Sequence, residues 1–201
     1  MVSISQGKVL EQSNTFEVPI LRENSKAEGV AKKTKNPGNM TGHSAFGTGE
    51  LYEHPKTKLK FTVFESFTKG YAGNGYRLIQ YIAGKTRYLS KNPTLRQLVK
   101  VWVGTPDESE LTKRAKLAGI SNVDAHIPLK FNYVLSILLA LGKFDSSYYM
   151  PEEAKAGLAL AWQKWLSEGN TTDEASDKGK DIFISESYTS LVVNNETNRR
   201  Q

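Results

Sequence analysis

Asn36-Pro37-Gly38-Asn39 is the sharpest local signal in this 201-residue chain. Proline presets φ at the second position of a β-turn and glycine tolerates positive φ at the third, so these four residues predict a tight turn. Other chemistries find little to work with. His43, His54 and His126 are far apart in sequence, with no H-x₃-H spacing and no cysteine beside them, which argues against zinc. The chain has no cysteine at all, removing disulfides, thiolate nucleophiles and Cys-based metal sites together. There is no G-x-S-x-G elbow, although sequence alone does not decide Ser-His-Asp geometry. Gly73-Asn74-Gly75 falls inside a helical pattern, and neither GxxxxGK[ST] nor strand–GxGxxG occurs, so no phosphate loop is expected. No cofactor is called for. The basic stretch from Lys26 to Lys35 lacks interleaved aromatics and predicts a solvated loop, able to touch DNA or an anionic wall polymer only electrostatically.

The elements that must position these residues are mostly helical. Residues 36–60 are rich in glycine and proline and predict loop, and 59–64 (LKFTVF) predicts a short strand. A helix should start with Ser66 or Thr68 as N-cap and run towards Gly84, with Leu78, Ile79 and Ile82 inward. Thr94 should cap the next, carrying Leu95, Leu98, Val99 and Trp102. Pro106-Asp107 should open a third, stopped at Gly119. Pro128 marks the first turn of FNYVLSILLALG, apolar on nearly every face and therefore expected at the centre. Pro151 should start the last helix, with Leu158, Trp162, Trp165 and Leu166 packed across the central one. The expectation is a predominantly helical α+β fold, five short helices around a buried one with a small β element.

Composition bounds the rest. The chain can bury a real core, and its three Trp, eight Phe and nine Tyr are those of a globular protein. The longest apolar run, residues 133–141, suits a core helix, so no membrane span is expected. The N-terminal residues lack a charged region followed by an apolar one, predicting synthesis in the cytoplasm without a signal peptide. The formal charge of +6 favours polyanions, or simply keeps the protein in solution. Residues 1–20, polar and holding Pro19, predict an extended arm; 21–166 one domain; 167–201 a polar linker, a strand-like DIFISESYTSLVV and a polar end, together a docking tail.

One set of motifs follows in a particular order: NPGNM (36–40), FTVFES (61–66), KGY (69–71), TLRQLVKVW (94–102), TPDES (105–109) and LAGIS (117–121). This order, over residues 21–166, resembles phage virion-associated proteins of the lysozyme-like superfamily, related to lytic transglycosylases and glucosaminidases. The resemblance implies a lysozyme-like domain acting on peptidoglycan, carried in the virion within tail, neck or ejection machinery. It implies partners among portal, adaptor, tail or hub proteins, met through the arm and the tail.

Glycan cleavage needs a carboxylic acid held neutral by an apolar pocket to protonate the glycosidic oxygen. The family pattern puts that acid eleven residues before Asn36, near Glu23; Glu28, which keeps an E-G pair with Gly29, is the second candidate. A lytic transglycosylase can use the sugar's own groups in place of a second carboxylate. Asn36 and Asn39 would then offer amide hydrogen bonds to the glycan, with Phe64, Tyr71 and Trp102 as stacking surfaces or core. Three departures define a second expectation, a structural virion component with the fold but not the chemistry. Pro19 lies where a regular helix should lead to the acid. Arg22, Lys26, Lys32 and Lys33 would favour an ionised carboxyl. Leu111 replaces an aromatic residue expected to line the cleft. A third expectation, nucleic-acid binding, rests on charge alone.

Overall fold

The computed structural model describes residues 29–173. Glu23, Glu28, Pro19, the arm and the strand-like tail lie outside the described residues. Six helices and one two-stranded sheet follow in the order α1 (Gly29–Thr34), β1 (Leu51–Glu53), β2 (Lys60–Thr62), α2 (Phe67–Ile82), α3 (Leu95–Val103), α4 (Glu108–Leu117), α5 (Phe131–Ser146) and α6 (Pro151–Ser167). The fold is mixed α+β with helix predominant, as composition and periodicity led one to expect.

Local capping explains where the helices begin. The side chain of Ser66 accepts from the Lys69 amide to start α2. Thr94 and Gln97 form a reciprocal capping box at the head of α3. Asp107 accepts from the Glu110 amide at α4, and Gly119 follows that helix with φ of 65°. Pro151 occupies the first turn of α6, where its missing N–H costs nothing. Three details differ from expectation. Pro128 precedes α5 by three residues, because the helix starts at Phe131 after the extended Lys130. That helix also continues through Gly142 to Ser146 and stops only where Ser147 turns left-handed at φ of 56°. The third is α1, which replaces the solvated loop expected over the basic stretch. Ala31 and Thr34 are buried there, while Lys32 and Lys33 stay in solvent.

Strands β1 and β2 form an antiparallel hairpin with Tyr52 opposite Phe61, and Thr41 adds one further bridge to Phe61. β1 falls inside the region read as loop, too short for its alternation to register.

The core is shared between α5 and α2. Helix α5 buries Val134, Ile137, Leu138, Leu139 and Leu141, as its sequence demands. Helix α2 is just as central, yet five of its ten buried residues are glycine, alanine or Asn74. Close approach explains this. A Cβ on Gly157 of α6 would sit 2.5 Å from the Thr68 carbonyl and 2.7 Å from the Tyr71 Cβ. One on Gly70 would collide with the Lys35 carbonyl. Small residues here let α6 and the chain after α1 lie directly on the α2 backbone. Leu158, Trp162 and Trp165 of α6 are buried, whereas Leu166 is 47% exposed and leaves the expected stripe. The segment 167–173, expected as free linker, is held: Thr171 accepts from the Trp165 indole, and the Asp173 carboxylate accepts from the Leu129 amide at 2.7 Å.

Candidate functional site

The NPGN residues occupy the turn between α1 and the strands, closed by an Asn39 amide donating to the Asn36 carbonyl at 3.1 Å. The left-handed residue is Asn39, at φ of 49°, and not Gly38. Glycine is required at 38 for space instead. A Cβ there would lie 2.9 Å from Asn74 Oδ1 and 3.0 Å from the Trp102 ring. The usual reading of proline-glycine as a torsional signal therefore identified the turn while missing the reason for the glycine.

Around this turn the separated motifs meet. Asn36 donates to the carbonyls of Met40 at 2.8 Å and Thr62 at 3.2 Å, and accepts from the Met40 amide and from Asn74. Phe64 donates its amide to the Thr34 carbonyl at 2.9 Å. The Trp102 indole N–H donates to the Gly38 carbonyl at 2.9 Å. Ser146 Oγ donates to the Pro37 carbonyl at 2.6 Å, and Asn39 Nδ2 to the Asp145 carbonyl at 2.8 Å. Helices α2, α3 and α5 and strand β2 thus all close on four residues. Apart from the Asn74–Asn36 pair, each bond satisfies a backbone group that would be costly to bury alone.

The same geometry corrects the roles expected for several side chains. Asn36 is fully buried with both ends of its amide occupied, so it braces the turn and offers nothing to a glycan. Phe64, 2% exposed, is core. Tyr71 has no exposed surface; its ring stacks on Tyr148 at 6.0 Å and its hydroxyl donates to the Tyr148 carbonyl. Burial raises its phenol pKa well beyond the usual tyrosine range. None of these rings presents a face on which a sugar could stack. Leu111, 1% exposed, is core as well. Trp102 and Asn39 keep partial exposure, and they are the two of the five described candidates that still reach the surface.

A buried ionic cluster beside the turn was not anticipated. Arg114, 4% exposed at its side chain, pairs with Asp145 at 2.6 Å and with Glu110 at 2.9 Å, and its guanidinium lies 4.1 Å over the Phe144 ring. Burial pushes the Asp145 carboxyl up, against the opposing pull of Arg114. Asp145 therefore joins α4 to α5 through its side chain and grips the NPGN turn through its carbonyl. The spacing of Glu110 and Arg114 is visible in sequence as an i,i+4 pair. Nothing local marks Asp145 as their partner.

This arrangement is a rigid brace. No group of His, Cys, Asp and Glu among the described residues is placed to hold a metal ion. His54 accepts from the Thr57 amide in the hairpin turn, while His126 bridges to Thr94 and bonds the Asn92 carbonyl. No described helix is long and apolar enough to cross a membrane. No protein-family model matches the chain, and no curated protein sequence matches it.

Proposed function

We propose that this domain is a lysozyme-like module of a phage virion protein and cuts peptidoglycan glycan strands during genome entry. The supporting observation is that three of the ordered motifs, FTVFES, KGY and TLRQLVKVW, reach the NPGN turn: residues 62, 64, 70 and 102 contact residues 34–39, as does Asn74 between them. Their order in sequence is the family resemblance, and their meeting at one turn gives that order a physical reason. The bond cut is that between MurNAc and GlcNAc. The general acid comes from the segment leading into α1, with Glu23 first and Glu28 second. The turn contributes by holding the backbone of that segment's continuation, because the Asn36 amide is spent internally. The arm and the tail dock the domain onto portal, adaptor, tail or hub proteins.

A second reading is favoured by one observation, the burial of Asn36, Phe64 and Tyr71. A motif used wholly for packing is what a structural virion protein would keep after losing the acid. The two readings separate in one assay, release of soluble fragments from purified peptidoglycan by the wild type, Glu23→Gln and Glu28→Gln. Loss of a general acid lowers turnover by roughly 10²–10⁴-fold, so one variant should fall silent while the other keeps wild-type release. No release from any of the three, all folded and monodisperse, rules out the enzyme and leaves the structural reading.

A further inference from the structure

Tyr88, between α2 and α3, is 55% exposed. An exposed aromatic ring alone signifies little, but this one is held in place. The Arg87 guanidinium lies 4.9 Å from its ring centroid and donates to its hydroxyl at 2.8 Å. Tyr81 meets it edge-on at 6.5 Å, and Tyr81 is in turn edge-on to Trp102 at 6.3 Å. Since the Trp102 indole is anchored on Gly38, a continuous line of rings runs from solvent to the NPGN turn. Fixing the ring in advance removes rotamer entropy that a ligand would otherwise have to freeze.

The stretch of chain that carries most of this line has charge of one sign. From Ser66 to Pro106 the chain carries seven Lys or Arg and no Asp or Glu. Arg96 is taken up by Asp124 and Glu108, and Lys91 by Asp173. Lys85, Arg87 and Lys100 are exposed and form no ion pair among the described residues. A polymer that combines the C–H faces of sugar rings with acidic groups is the chemical complement of such a surface.

We propose that Tyr88, with Arg87, Lys85 and the exposed part of Trp102, is an accessory binding surface for an acidic glycan strand, separate from the cleavage step. The identity of the glycan rests on the peptidoglycan reading above. A pyranose lays its C–H face against the exposed part of the Tyr88 ring while carboxylates along the strand meet Lys85 and Lys100. A single-stranded nucleic acid fits less well, because such surfaces stack successive bases on several open rings. Here Tyr81, the middle ring, is only 6% exposed.

The test is co-sedimentation of the full chain with insoluble purified peptidoglycan, alongside a single-stranded oligonucleotide at the same ionic strength. The variants are Tyr88→Ala, Tyr88→Phe and Arg87→Glu, each also made with Glu23→Gln and Glu28→Gln so that cleavage does not disturb the binding readout. Tyr88→Ala should weaken peptidoglycan binding about three- to tenfold, the range of one aromatic contact. Tyr88→Phe should keep most of it and Arg87→Glu should lose at least as much as Tyr88→Ala, all with unchanged melting temperature. Wild-type binding by both Tyr88→Ala and Arg87→Glu would overturn the surface while leaving the peptidoglycan reading intact. Loss confined to the oligonucleotide would assign the surface to nucleic acid instead. Absence of binding by the folded wild type would overturn the surface, while the fragment-release assay would still decide the peptidoglycan reading.

Discussion

The indole of Trp102 donates its N–H to the carbonyl of Gly38 at 2.9 Å, while the same ring stands 3.0 Å from where a Gly38 Cβ would be. One residue of α3 therefore both binds the turn and forbids it a side chain. Gly38→Ala should destabilise the protein by about 1–3 kcal/mol, the usual cost of overpacking a filled site. Trp102→Phe, which keeps a ring but loses the donor, should cost at least the roughly 0.5–1.5 kcal/mol of one hydrogen bond. Chemical denaturation of both single variants and the double variant checks this. Strict additivity would mean that the two residues do not act on one another.

Asn36 is the buried hub of the turn, and removing its amide strands several partners at once. Asn36→Ala leaves the Met40 amide and the Thr62 carbonyl without that partner, while the Met40 carbonyl keeps the Thr62 amide at 3.0 Å. At about 1–3 kcal/mol for each buried group left unsatisfied, the variant should unfold at markedly lower denaturant or fail to fold at 37 °C. Asn39→Ala should cost less, since it gives up one bond to the Asp145 carbonyl and a left-handed φ. Melts of the two variants side by side settle the order.

The contact between α6 and α2 depends on Gly157. Gly157→Ala forces a methyl against the Thr68 carbonyl at 2.5 Å and the Tyr71 Cβ at 2.7 Å. Backbone cannot yield as a flexible side chain does, so a loss near the upper end of about 1–3 kcal/mol is expected. Gly157→Leu should abolish folding. A soluble, cooperative Gly157→Leu variant would show that the two helices are not packed as described.

Arg114 and Asp145 give a prediction with a sign in pH. Burial sets the folded Asp145 carboxyl above its ordinary value of 3.8. The folded state therefore binds this proton more readily than the unfolded chain does. Stability from this group is fully present below the unfolded value and is lost as pH rises through the folded one. Asp145→Asn does not titrate there, so on acidification the wild type should gain stability relative to the variant; a constant difference across the acidic range would refute the shift. Arg114→Met, which strands a buried carboxylate, should cost about 3–5 kcal/mol at neutral pH.

Tyr76 lies on the opposite side of α2 from the turn residues in its contacts, bonded to Glu168 and lying under Lys164 at 5.7 Å. Burial and then Glu168 push its phenol up to about 12. Glu168→Gln should lower that titration towards the ordinary 10.0, as read by ultraviolet absorbance of the phenolate. No change on that substitution would mean that the carboxylate does not bear on the ring.

The sequence by itself determined where the helices begin, because caps and prolines act within three or four residues: Ser66, Thr94, Asp107 and Pro151 each do their work locally. It also determined that the segment from Phe131 belongs in the core, since its apolar residues cover nearly every face. Short elements escaped it. Strand β1 has three residues and α1 six, too few for a period to emerge; β1 is held by its hairpin partner β2 and the end of α1 by the Phe64 amide. The tertiary structure alone decided what the motif residues do. Amide and aromatic side chains look the same in sequence whether they face a ligand or a neighbour. Burial assigned Asn36, Phe64 and Tyr71 to neighbours. It also decided that Gly38 is there to make room for Trp102 and Asn74, residues 64 and 36 positions further on, and that Asp145 completes the Arg114 pair across 31. Such roles belong to two surfaces meeting, and a single segment of chain carries only one of them.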